Sequence, residues 1–331
     1  MSTSGLNATP PPLGIVGEYG VTIHTGAIQS GDFAQIHNAG FKWIRTDLFW
    51  IWVEATPGIF DFTIFDRLAA NFPVNDLRPI VILDYSNALY ATVGDMTTAN
   101  SDRFRAAYAA FSAASVAHYA GRGFIWEQWN EPNNSSAWPP APDSAAYVAL
   151  MKQACIEIRK KYPQEIIIGP ASSGIDLPFI EACLRGGMLD YWSAISVHPY
   201  RHTDPATASA DYAKLRALIA QYAAPGRTVP IISGEWGYTT AWAGFDDAKQ
   251  ADYLSRMFKL NKQENIPLTI WYDWRDDGDD PTNMEHRFGL VRRSPARTFD
   301  PKSAYLAARQ ELLGIPPSNV LINVKTVVPV P

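Results

Sequence analysis

"FIWEQWNE", residues 124–131, is an apolar, aromatic-rich run that closes on an amide and a carboxylate and is stopped by Pro132. A short, nearly continuous hydrophobic run of this kind reads as a strand buried on both faces. Seven others share the pattern: "IVGEYGVTIH" (15–24), "KWIRTDLFW" (42–50), "PIVILDY" (79–85), "EIIIGPAS" (165–172), "SAISVHPY" (193–200), "VPIISGEW" (229–236) and "PLTIWYDW" (267–274). Helix-period stretches lie between them, among them residues 103–121, 145–163 and 249–263, and Gly121 and Pro163 are stop signals for the first two. Eight such strands with helical crossovers and no break in composition predict an α/β fold, a single (β/α)8 TIM barrel. A doubly wound open sheet is the competing architecture, but the chain lacks the G-x-G-x-x-G first turn that usually marks one. The barrel is expected over residues 14–314. A flexible Pro-rich segment (1–13) precedes it, and a tail with one short extended stretch (315–331) follows.

The composition is compatible with this. The 331 residues are 47% apolar, enough for a large core, and a net charge of −5 supplies no basic footprint for nucleic acid or an anionic membrane surface. No stretch approaches the roughly 18 apolar residues of a membrane span. Cys155 and Cys183 fall in helical segments and read as buried free thiols. The start, "MSTSGLNATPPP", has neither a basic nor an apolar leader region, so no signal peptide is visible and the compartment stays open.

Catalytic side chains of such a barrel sit at the C-terminal strand ends. Applied to the eight runs, that rule collects His24, Arg45, Asp47, Asp84, Asn87, Asn130, Glu131, His198, Tyr200, Glu235, Trp274 and Asp276 at one rim. Glu131 closes the fourth run and Glu235 the seventh, across the barrel mouth from one another. A carboxylate pair is what glycoside hydrolysis needs, one protonating the leaving oxygen and the other attacking the anomeric carbon or activating water. Their environments must differ so that one is protonated while the other is ionised. An apolar surround that includes Trp129 is expected to raise Glu131. Strict alternation aims Asn130 and Glu131 at opposite faces, so both reach the pocket only if the strand bulges or ends there. Arg45, flanked by apolar residues, requires a carboxylate partner: Glu235, with Asp47 or Glu127 as the alternative.

"WNEPN" (129–133) and "GEWGY" (234–238) resemble the catalytic motifs of clan A, the (β/α)8 retaining glycoside hydrolases. Together with "ILDYSN", "SVHPYR" and "WYDWRDDG", they look most like family 39, with the cellulase-like family 5 next. The resemblance spans roughly residues 14 to 312. It implies a glycosidase with Glu131 as acid/base and Glu235 as nucleophile, Asn130 on the substrate 2-hydroxyl, and Arg45 paired with the nucleophile. His198 and Tyr200 orient the site, and Trp274 floors the sugar pocket.

The expected activity is retaining cleavage of a β-glycosidic bond, or its stereochemical equivalent such as an α-L-arabinoside, in a poly- or oligosaccharide. The expected protein is a monomer with no cofactor, no metal, and no nucleic-acid or membrane partner. A transglycosylase would use the same residues. A catalytically silent carbohydrate-binding barrel is disfavoured by two intact glutamates, and a metal-dependent hydrolase by the single His in "TIHTG". The His198/His202 pair is interrupted by Pro199, and the acidic run 276–280 lacks EF-hand spacing, so neither reads as a metal site. Glu127 reads as a structural partner beneath the site, with substrate contact as the alternative. Trp236 and Trp274 read as pocket walls, Trp138 and Trp242 as outer sugar platforms, and Trp43 and Trp192 as core.

Overall fold

A computed structural model describes residues 9–92, 95–294 and 298–316. Among the described residues there are eight strands: β1 (Glu18–Thr22), β2 (Trp43–Phe49), β3 (Arg78–Asp84), β4 (Ile125–Gln128), β5 (Ile166–Ser173), β6 (Ala194–His198), β7 (Ile231–Trp236) and β8 (Leu268–Trp271). They close a parallel barrel in chain order, with β8 pairing back onto β1. Every predicted run overlaps one of them, with β3 starting and β5 ending one residue outside its run. The three predicted helices form as Asp102–Tyr119, Ser144–Lys161 and Asp247–Gln263. Each starts where a side-chain oxygen, of Ser101, Asp143 or Asp246, accepts a first-turn N–H that has no carbonyl partner inside the helix. Among the described residues, no helix is long and apolar enough to cross a membrane.

Alternation along the strands divides the core in two. Trp43, Ile80, Ile125, Ile168, Ala194, Ile232, Leu268 and Ile270 form one buried cluster near the strand starts, and a larger cluster lies between strands and helices. Trp43 and Trp192 are fully buried, as are both free cysteines. Residues 1–8 and 317–331, which hold most of the two predicted terminal segments, lie outside the described residues. Leu13, assigned to the flexible start, is instead 5% exposed and packs with Ile15 in the inner cluster. Burying two branched side chains there is worth about 3–6 kcal/mol, which ties that part of the segment down.

Two irregularities position the rim. The β5–β6 register shifts between Pro170 and Ser172, and the β7–β8 register shifts between Ser233 and Trp236, where β7 carries one extra residue. A bulge of this kind changes which side chain faces inward beyond it.

Candidate active site

β4 ends at Gln128, and the chain then leaves extended geometry, with Trp129 at φ 68° and Glu131 at φ 48°. Left-handed backbone costs a non-glycine residue on the order of 1–3 kcal/mol, so the surroundings must hold it. Here the Glu131 N–H donates to the Ala171 carbonyl at 2.9 Å, in the irregular part of β5. Alternation is thereby broken, and Asn130 and Glu131 both line one cleft of about 530 Å³. The extra residue in β7 does the same for Glu235, which faces the cleft. Gly234 turns inward just below it, where a Cβ would collide with Ser196 Oγ.

Arg45 organises the floor. Its guanidinium is 1% exposed and donates through Nε to Glu127 (2.6 Å), through Nη1 to Glu235 (2.5 Å) and through Nη2 to Asn130 Oδ1 (2.7 Å). Glu127 also accepts from Ser196 Oγ at 2.5 Å, so it is a structural partner at full burial. The two readings of Arg45 are therefore not alternatives, because one guanidinium fork serves both carboxylates. Tyr200 Oη donates to the other oxygen of Glu235 at 2.8 Å, and Asn130 Nδ2 donates to Tyr85 Oη at 2.9 Å.

His198 is fully buried, with Nε2 3.4 Å from Arg45 Nη2 and Nδ1 2.9 Å from Glu131 Oε1. Arginine offers only donors, so Nε2 accepts and the imidazole proton lies on Nδ1, facing Glu131. Burial pushes the Glu131 carboxyl up, but the hydrogen bonds from His198 and Asn134 and the charge of Arg45 together bring it below its ordinary value. The expected upward shift is thus reversed. The Trp129 ring packs on Tyr85, Tyr108 and Trp138, while polar groups hold Glu131. Oxygens of Glu131 and Glu235 and a nitrogen of His198 lie within 4.8 Å of one another.

The other predicted residues divide. His24 lines the cleft beside Asp47, and its imidazole is pushed up to about 9, because Asp273, Asp277 and Asp47 outweigh the opposing effect of burial. Trp242 lines the cleft, with the His202 ring tilted against it at a centroid distance of 4.0 Å. Six predictions are corrected. Asp84 is wholly buried, and burial and then the neighbouring Asp47 carboxylate raise it well above its ordinary value. Asn87 is spent bracing the Trp50 and Glu54 carbonyls and the Leu89 N–H. Asp276 is taken up by Lys302 at 2.6 Å and the Gly289 N–H. Trp236 lies beyond the β7 extra residue and faces outward, near Tyr238. Trp274 follows the end of β8 and packs on Phe299 and Tyr305, leaving the cleft wall to Tyr272. Trp138, read as a sugar platform, is 1% exposed against Trp129 and Tyr147.

Sequence reasoning missed Tyr85, Tyr272, Phe49, Glu285 and Phe288 as cleft residues. Tyr85 and Tyr272 were visible at the ends of the third and eighth runs, overshadowed by charged or larger neighbours. Glu285 and Phe288 come from the loop after β8 and carry no local signal.

Comparison with known proteins places this geometry. The sequence model of the Cellulase family, glycosyl hydrolase family 5, matches residues 13–277. The barrel is similar to that of a family 39 glycoside hydrolase from the gut symbiont Bacteroides cellulosilyticus WH2, with a TM-score of 0.77 and 27% identity over 90% of this chain and 64% of that one. The present chain therefore spans less than two thirds of that protein's length. It also shares its fold with a family 39 β-xylosidase from Caulobacter crescentus (TM-score 0.68, 20% identity, 92% of this chain and 72% of that one). An exo-β-1,4-mannosidase from Opitutaceae bacterium strain TAV5 shares it too (TM-score 0.69, 14% identity, 95% and 62%). No curated protein matches the sequence. With the match covering most of the barrel, the chain belongs to the cellulase family of glycosyl hydrolases, family 5.

Proposed function

We propose that the protein is a retaining glycoside hydrolase in which Glu235 is the nucleophile and Glu131 the acid/base. The observation that carries this is the spacing of the two carboxylates in one cleft. Their oxygens approach within 4.8 Å, near the roughly 5–5.5 Å of a double-displacement pair and short of the roughly 6.5–9.5 Å that leaves room for an intervening water.

Arg45 and Tyr200 hold the Glu235 carboxylate by one oxygen each and fix its orientation for attack on the anomeric carbon. Glu131 keeps Oε1 on His198, so the proton given to the leaving oxygen resides on Oε2, the oxygen facing Asn134. Substrate filling the cleft expels water and adds desolvation, which raises Glu131 toward the protonated form needed for that first step. Once the glycosyl–Glu235 ester has formed and the aglycone has left, the His198 hydrogen bond favours the carboxylate that takes a proton from water. The amide of Asn130 has one N–H engaged by Tyr85 and a second for a sugar hydroxyl. The substrate class is a β-glycoside, or the stereochemically equivalent α-L-arabinoside. The β-linked substrates named for the xylosidase and the mannosidase of the same fold support this choice. All of these residues come from one chain, so the reading requires no partner subunit.

Azide rescue of two variants tests the roles. Glu131→Ala should retain activity on activated aryl glycosides and yield a glycosyl azide of the substrate's own configuration, from the intact covalent intermediate. Glu235→Ala should lose activity by several orders of magnitude and give the opposite anomer. The same anomer from both variants would refute the assignment.

A further inference from the structure

We infer that His24, Asp273 and Asp277 form a divalent-cation site in the wall of the cleft, suited to an ion of the zinc or manganese class. His24 follows β1, and the two aspartates follow β8, where the barrel closes. His24 Nε2 lies 3.5 Å from Asp273 Oδ2 and 3.6 Å from Asp277 Oδ2, and the three residues each offer one ligand atom within 4.8 Å of the others. These gaps are too long for good hydrogen bonds. A triangle with such edges has a common point about 2–2.4 Å from each corner, the length of a bond from a metal ion to oxygen or nitrogen.

A second observation is independent of that spacing. Asp273 is 1% exposed, yet its carboxylate receives no proper hydrogen bond and has only the long 3.5 Å ion-pair contact to His24 Nε2. Buried polar groups are almost always satisfied, and an ionised carboxylate without donors is costly to bury. Arg275 does not answer Asp273, because its guanidinium is held by Asp32 at 2.5 Å and by the Arg292 carbonyl.

The donor set selects the ion. One imidazole and two carboxylates suit zinc or manganese, whereas calcium takes six to eight oxygens. Three protein ligands leave coordination positions for water or for hydroxyls of a molecule in the cleft, which His24 also lines. A second acidic group, Glu131 with His198 and Glu235, has comparable spacing. There the Arg45 guanidinium already supplies the positive charge, so that group is not the site proposed.

The test is independent of the hydrolase reading. Chelator-stripped protein is titrated with Zn²⁺ and with Mn²⁺ by calorimetry, and bound metal is counted after gel filtration. One equivalent should bind. Affinity should fall at least tenfold in Asp273→Asn and His24→Gln, and stay unchanged in Glu131→Gln. Asp277→Asn, at a partly exposed position, should show the same loss and serves if the Asp273 variant does not fold. Absence of saturable binding at millimolar metal, or binding that survives in the His24 and Asp277 variants but fails in Glu131→Gln, would overturn the proposal.

Discussion

Replacing Glu127 isolates what holds the floor of the cleft. Its carboxylate is fully buried and accepts from Arg45 Nε at 2.6 Å and Ser196 Oγ at 2.5 Å. Glu127→Ala strips two buried donors of their acceptor. Removing one partner of a buried ion pair costs about 3–5 kcal/mol, because the remaining charge stays desolvated. The charge-assisted bond alone is worth about 1.5–3 kcal/mol. Glu235 still neutralises Arg45, so a loss above about 5 kcal/mol is not expected. At about 2–3 °C per kcal/mol for a large domain, Tm should drop by about 6–15 °C. Glu127→Gln keeps the shape, an acceptor for Arg45 and a donor for Ser196, and should lose about half as much. Freed from Glu127, Arg45 swings and carries Glu235 with it, and a misplacement of about 1 Å costs on the order of 10²-fold in turnover. Urea or thermal unfolding followed by tryptophan fluorescence, alongside aryl-glycoside turnover, measures both effects. An Ala variant within about 1 kcal/mol of the parent, or a Gln variant as damaged as Ala, would refute the reasoning.

Replacing His198 with Phe removes the main influence that lowers Glu131 and leaves burial unopposed, so the alkaline limb of the pH–rate profile should move to higher pH. A limb that stays or moves down would mean that another group supplies the proton. Tyr200→Phe deletes the donor to Glu235 and should lower kcat/KM by about 10–100-fold, the equivalent of about 1.5–3 kcal/mol, with unfolding little changed. Trp138→Ala should destabilise by about 3–5 kcal/mol, as expected for a core aromatic, whereas Trp242→Ala, at a half-buried cleft position, should raise KM and cost less stability than Trp138→Ala. Gly234→Ala drives a methyl into Ser196 Oγ and to 3.1 Å from Glu127 Oε1, so it should reproduce part of the Glu127 phenotype.

The barrel was legible from the chain because strands buried on both faces must be continuously apolar, and their helical crossovers must be amphipathic and capped. Those are local requirements, met in "PIVILDY" as in "VPIISGEW". Glu131 and Glu235 were legible for a related reason: a carboxylate closing an apolar strand stands out against its neighbours. Side-chain direction beyond a strand's last residue was not legible. It depends on where regular geometry breaks, at Trp129 and Glu131 with positive φ and at the extra residue before Trp236. Those breaks are set by contacts with neighbouring strands, such as the Glu131 N–H on Ala171. For that reason Trp236 and Trp274 turned out to be packing residues, and Tyr272 took the cleft wall. Only the closed barrel brings Arg45 onto Glu127 and Glu235, 82 and 190 residues away in sequence, and His24 onto the aspartates after β8. The chain specifies the strands and their terminal groups through short-range patterning, while the partnerships among buried charges arise only when eight strand ends converge on one dry floor.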